Sequence, residues 1–181
     1  MVKDSGVTAS QQGDLDCLCG AYSVVNMMGY LYDGRIKRKP LMRALLLEFS
    51  YEWSLDEWLT QGLDGNQMDY LLQHVVTTGY YAKRFPLTIT QPFRKRKILT
   101  PRTIMRDMER FINHVDNHFS RLILIGTQHH WSLVKSMDEH YLYFFDSDGQ
   151  KRLRRSSHSM QPDANSHQLF TDCIYFIERE F

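Results

Sequence analysis

Cysteine is scarce in this chain of 181 residues: there are three, at positions 17, 19 and 173. So sparse and odd a set builds no disulfide framework, and a reducing compartment suits it best. Long hydrophobic runs are also missing. Stretches such as Leu45 to Leu47 and Leu122 to Ile125 are far too short to cross a bilayer, so no membrane association is expected. Met1-Val2-Lys3-Asp4 lacks the apolar segment of a secretory leader. The expected location is therefore cytoplasmic, or outside the cell by a route that reads no cleavable signal. Charge of one sign is lacking too, with 22 basic against 21 acidic residues, so the chain as a whole demands no anionic partner. Internal repeats and low-complexity tracts are absent. What remains, 43% hydrophobic and 13% aromatic residues, suffices for a single domain over 1–181 with a core that needs no staples.

Charge is less even locally. No acidic residue lies between Tyr70 and Arg106, a stretch that holds Lys83, Arg84, Arg94, Lys95, Arg96, Lys97, Arg102 and Arg106. A second basic cluster is Lys151, Arg152, Arg154 and Arg155. Such loops are either solvated or a docking surface for an acidic protein partner. No nucleic-acid motif accompanies them, which disfavours that partner.

The first part of the chain reads as helical. Ala21 to Tyr32 is apolar and small, Leu41 to Phe49 follows Pro40, and Leu55 to Leu59 follows Ser54, an expected N-cap with Glu57 at the third position. Met68, Leu71, Leu72, Val75 and Val76 mark one helical face ending near Gly79. Thr100-Pro101 opens a further helix with the face Ile104, Met108, Phe111, Ile112 and Val115. The methionines read as core filler. After Ser120 the pattern turns to strands: Leu122 to Ile125, Trp131 to Val134, Tyr141 to Phe145 and Cys173 to Ile177, with 147–168 loop-like. Helices first and antiparallel strands later predict an α+β fold, with a helical lobe over about 1–119 and a sheet lobe over about 120–181.

The chemistry-bearing segments are two. In Gln11-Gln12-Gly13-Asp14-Leu15-Asp16-Cys17-Leu18-Cys19-Gly20-Ala21-Tyr22-Ser23, a cysteine stands where a polar loop becomes an apolar helix. A helix N-terminus favours an anion, and a glutamine upstream offers an amide to an oxyanion. Buried structural cysteines would also fit this segment alone. In His129-His130-Trp131-Ser132 and Phe145-Asp146-Ser147-Asp148, a histidine opens one strand and an aspartate closes the next. A cysteine nucleophile needs a base, and the base needs an orienting group; the chain supplies them in the order cysteine, histidine, aspartate. No paired Cys-x-x-Cys spacing accompanies Cys17, Cys19, His129 and His130, so neither a metal nor a cofactor is expected.

Cys19-Gly20-Ala21-Tyr22-Ser23-Val24-Val25, with Gln12-Gly13 upstream, resembles the nucleophile helix of papain-like cysteine peptidases. Cys19-Gly20 is also similar to the cysteine-glycine pair of bacteriocin-processing exporter peptidases. His130-Trp131-Ser132-Leu133 and Asp146-Ser147 resemble motifs of ubiquitin-like-protein peptidases, although those run with the cysteine last. The resemblance covers residues 11–28 and 129–149 and implies a papain-like fold, with N-terminal helices packed on a C-terminal antiparallel sheet. It implies Cys19 as nucleophile, His130 as base, Asp146 as its orienting group and Gln12 at the oxyanion. The usual spacing in these enzymes puts the glutamine six residues before the cysteine. Gln12 lies seven before Cys19, whereas Gln11 lies six before Cys17, so Cys17 with Gln11 is the rival assignment. Cys173 is expected to be inert in a strand.

The activity so implied is hydrolysis of a peptide or isopeptide amide in a protein or peptide substrate through a thioester. Two alternatives stand beside it: an effector-type amidase, deamidase or transglutaminase acting on cell-wall peptide or a host protein, and a non-catalytic interaction module that keeps the same shell. One geometric expectation separates His130 from His129. A three-residue connection, Met137 to Glu139, would oppose Val134 to Leu142, Ser132 to Phe144 and His130 to Asp146.

Overall fold

The computed structural model describes residues 6–114 and 120–180. Val115 and the lobe boundary expected near residue 119 lie outside them. The architecture is α+β, with six α-helices among the described residues and a six-stranded antiparallel sheet. The helices are α1 (Cys19–Leu31), α2 (Arg38–Ser50), α3 (Leu55–Gln61), α4 (Gly65–Leu71), α5 (Gly79–Arg84) and α6 (Pro101–Asn113). The sheet strands are β1 (Leu87–Thr90), β2 (Arg121–Gly126), β3 (Trp131–Met137), β4 (Tyr141–Phe144), β5 (Arg152–Arg154) and β8 (Ile174–Arg179), in the order β1-β8-β2-β3-β4-β5. Two short strands, β6 (His158–Ser159) and β7 (His167–Gln168), pair in parallel within the segment expected to be loop.

Side chains alternate across the sheet and feed two apolar layers. Leu122, Leu124, Leu133, Tyr175 and Ile177 pack with α1, α2 and α4. Ile123, Ile125, Val134, Ile174 and Phe176 pack with Ile104, Met108 and Ile112 of α6. The sheet is thus covered on both faces, which explains why β2 reads as a continuous apolar run. Helix α1 is buried on nearly its whole circumference, because it lies between the sheet and α2. Small residues permit this. A Cβ on Gly20 would come within 2.6 Å of Leu63 Cδ1.

Local signals account for most of the helix boundaries. Thr100 accepts the Thr103 backbone N–H, and Pro101 stands at the start of α6. The capping box expected at Ser54 does not form, since Ser54 makes no side-chain cap bond. One forms at Asp64 instead, reciprocated by Gln67. The Met68-to-Val76 face is real, but it runs through α4 into a π-helical turn, Leu72–Val76. Its five apolar residues are all buried.

The β3–β4 hairpin departs from the expected register. Met137 faces Leu142 and Ser136 faces Tyr143, around a tighter turn in which Asp138 accepts the N–H groups of His140 and Tyr141. Val134, however, faces Phe144, so Lys135 is left over as a β-bulge. Beyond the bulge the Phe145 N–H donates to Leu133 O, which carries Asp146 opposite Ser132 rather than His130. The expected direct His130–Asp146 opposition is therefore corrected to a diagonal one. Without the bulge Asp146 would stand opposite Leu133 and face the α1 layer. The bulge restores the side shared by Ser132 and His130.

Candidate active site

Helix α1 begins at Cys19, so this thiol stands at the helix N-terminus, 8% exposed on the floor of a cleft of about 590 Å³. The preceding loop is tied by Asp16, which accepts the Gly13 and Leu18 N–H groups. One turn into the helix, Ser23 Oγ donates to Trp131 O at 3.0 Å and fastens α1 to the start of β3. Trp131 Nε1 donates to Leu63 O at 2.9 Å, which ties the same strand to the loop before α4. These contacts bring His130 to the end of α1.

His130 Nε2 lies 2.7 Å from Asp146 Oδ1, and His130 and Cys19 line the same cleft. Burial works against the imidazolium, but the bonds and charges of Asp146 and Cys19 outweigh it and raise the pKa from 6.5 to about 10. The Asp146 side chain is fully buried. Burial alone would raise its pKa; the His130 and Ser132 hydrogen bonds reverse the effect and hold the carboxyl below its ordinary value. Its oxygens are saturated: Ser132 Oγ donates to Oδ1 at 2.5 Å, and the Asp148 and Gln150 N–H groups donate to Oδ2 at 2.9 and 3.1 Å. Asp148 therefore supports Asp146 through its backbone and does not replace it.

Gln12 comes to the same cleft by a different tie. Its backbone N–H donates to Ser147 O at 3.0 Å, and Ser147 Oγ donates to Gln12 Oε1 at 3.2 Å. The Nε2 amino group is left to the cleft. Upstream, Asn26 holds Ser10 by both backbone groups, at 2.7 and 3.1 Å, so the segment carrying Gln12 is pinned at each end.

The rival pair is built differently. Gln11 is exposed, and its amide nitrogen is engaged by Asp146 O and Ala9 O. Cys17 borders the cleft, but its Sγ is turned to Thr60 O at 3.4 Å. Neither meets His130. His129 sits in the two-residue turn between β2 and β3, exposed, with its ring 6.4 Å from that of His167. Cys173 ends a 3₁₀ turn before β8 rather than lying in the strand as expected, and burial pushes its thiol up to about 11.

Sequence reasoning missed Ser132, Ser147 and Gln128 as supporting residues. The first two stand inside the quoted His-Trp-Ser and Asp-Ser motifs, so position signalled them although their partners did not. Gln128 had no signal: its Nε2 donates to Ser166 O and its Oε1 accepts the Gln168 N–H, both at 2.7 Å. That pair of bonds clips the 158–168 segment to the β2–β3 turn and sets His167 at the cleft.

Among the described residues no group of three or more histidine, cysteine or acidic side chains is arranged to hold a metal ion, and no helix is long and apolar enough to cross a membrane. No protein-family model matches the chain, and no curated protein matches it at a significant level.

Proposed function

We propose that the chain is a papain-like, cysteine-dependent hydrolase that cleaves a peptide or isopeptide amide through a thioester. The observation that carries this reading is the 2.7 Å bond from His130 Nε2 to the buried Asp146 carboxylate, in a cleft that Cys19 also lines and where Cys19 helps to favour the imidazolium. A histidine placed for packing alone has no need of a saturated, buried carboxylate behind it. In the proposed reaction Cys19 Sγ attacks the carbonyl carbon while His130 holds the thiol proton. The oxyanion takes hydrogen bonds from the Gln12 amino group and from the Cys19 backbone N–H, which as the first of its helix has no intrahelical acceptor. His130 then gives its proton to the leaving amine, and the thioester forms. Water attacks next, His130 takes its proton, and the acid leaves as the thiol is restored. Asp146 keeps the ring oriented and balances the imidazolium.

The test is labelling with iodoacetamide at neutral pH, followed by peptide mapping and turnover of peptide and ubiquitin-like amide probes. Cys19 is expected to alkylate first. Cys19→Ala is expected to lose turnover by several orders of magnitude, while Cys17→Ser keeps most of it. Preferential alkylation of Cys17, or activity that survives Cys19→Ala, overturns the assignment. Purified cell wall, assayed alongside the ubiquitin-like probes, distinguishes a peptidase from an amidase.

A further inference from the structure

The acid-free stretch of sequence does not form one basic surface. Arg94 is paired with Asp69, Arg96 and Arg106 with Asp107, and Arg155 of the second cluster with Glu109. Arg152 and Arg154 lie over the Tyr141 ring. The cations that remain beside aromatic side chains gather at the far end of α1. A groove of about 900 Å³ opens there, between the start of α2, helix α5 and the end of β8.

Its floor is aromatic: Tyr32 and Phe85 meet edge to face with centroids 5.1 Å apart, and Tyr80 packs in the same way against Tyr81 at 5.2 Å. Tyr80 is 67% exposed, a large ring left to solvent. The rim carries Lys37 and Arg84, both exposed, and neither has an acidic partner among the described residues. Arg35 stands beside them, 3.7 Å from Asp33. Arg179 is committed to the fold, donating to Leu31 O and Asp33. Among the described lining residues the single carboxylate is Glu180, and it accepts from Thr88 Oγ1. Exposed tyrosine beside an unpaired arginine is the composition of a binding hot spot, and the lysine adds charge that steers an acidic partner.

We propose that this groove docks an acidic, aromatic-containing peptide segment of a partner protein. Its carboxylates would meet Lys37 and Arg84 while its ring stacks on Tyr80. Nucleic acid fits less well. A backbone-reading surface neutralises about 6–10 phosphates, whereas this groove offers few uncommitted cations and carries a carboxylate of its own. Helix α1 separates the groove from Cys19. Its 13 residues span about 20 Å, so docking here leaves the cleft open. The proposal does not depend on the hydrolase reading.

Fluorescence anisotropy tests it with a labelled peptide of alternating Glu and Tyr, a Gln–Tyr peptide of the same length, and a single-stranded oligonucleotide. The acidic peptide is expected to bind saturably at low salt, to weaken in half-molar salt, and to outbind the Gln–Tyr control. The double substitution Lys37→Glu, Arg84→Glu is expected to weaken it at least about tenfold, and Tyr80→Ala several-fold. All three side chains are exposed, so the variants should fold, and circular dichroism verifies it. No saturable binding of the acidic peptide to the wild type, equal affinity for the Gln–Tyr peptide, tighter binding of the oligonucleotide, or unchanged affinity in the folded variants overturns the proposal.

Discussion

Replacing Asp146 by asparagine tests the energetic core of the site. The side chain keeps its size, and its carbonyl oxygen can still accept one bond, but the charge behind His130 is gone. In the wild type the imidazolium persists from its ordinary value of 6.5 up to about 10. At about 1.4 kcal/mol for each tenfold change in proton affinity, that difference is on the order of 5 kcal/mol, shared between Asp146 and Cys19. With Asp146 neutral, burial is opposed mainly by the Cys19 contact, so the ring is expected to titrate near or below 6.5. The sign for stability follows from linkage. A raised folded-state pKa contributes stability that is fully present below 6.5 and is lost as pH rises through about 10. The depressed Asp146 contributes above its unfolded value, near 3.9, and loses that contribution as pH falls through its folded value. The pair thus stabilises from mildly acidic pH up to about 10, and Asp146→Asn removes most of the benefit across that window. Nitrogen-15 NMR of histidine-labelled protein follows the ring directly over a pH series, and urea unfolding at pH 6 and pH 10.5 follows the stability. A wild-type His130 that titrates at its ordinary value, or an Asp146→Asn variant that titrates unchanged, refutes the reasoning.

Other outcomes follow from single contacts. Ser132→Ala removes a buried 2.5 Å bond to Asp146 and should cost about 1–3 kcal/mol in urea unfolding, with a smaller fall in kcat than Asp146→Asn. Deleting Lys135 removes the unpaired residue and leaves the Val134–Phe144 and Ser136–Tyr143 pairs in place, so the imidazole should still titrate near 10. A deletion variant that folds but shows an ordinary imidazole would count against the bulge as drawn. Gln128→Ala breaks both bonds of the clip and should hasten proteolytic nicking within 160–168 several-fold, as mapped by mass spectrometry, with global stability little changed.

The local part of this fold could be read from the sequence. The α1 boundary falls at Cys19, where the polar loop ends, and α6 begins at Thr100-Pro101, because cap chemistry and apolar period act over a few residues. The β3–β4 register could not be read, because Lys135 carries no mark of a bulge. Its place depends on a turn set by Asp138 at one end and on Asp146 being held by Ser132 and His130 at the other. The same limit hid the β6–β7 pair, which joins residues nine apart, and the Gln128 clip, which joins residues about forty apart through polar groups with no periodicity. His130 and Asp146 were reached through residue types and order, although the register expected to join them was different.

The tie between Gln12 and Ser147 joins residues 135 apart in sequence. Helix α1, carrying Cys19, is made before the sheet, but a helix of 13 residues is marginal alone and depends on packing against the sheet and α2. His130 and Asp146 emerge more than a hundred residues later, beside strands that must first pair. Until they are made Cys19 is a thiol without its neighbours in the cleft, and no chain that stops short of Asp146 holds the assembled cluster. The cluster assembles only when β4 and the Ser147 loop close over the N-terminal segment. Non-local closure of this kind makes the assembly of the site a late event in folding, so its kinetics report the pairing of β3 with β4 and their docking on α1 and the N-terminal segment.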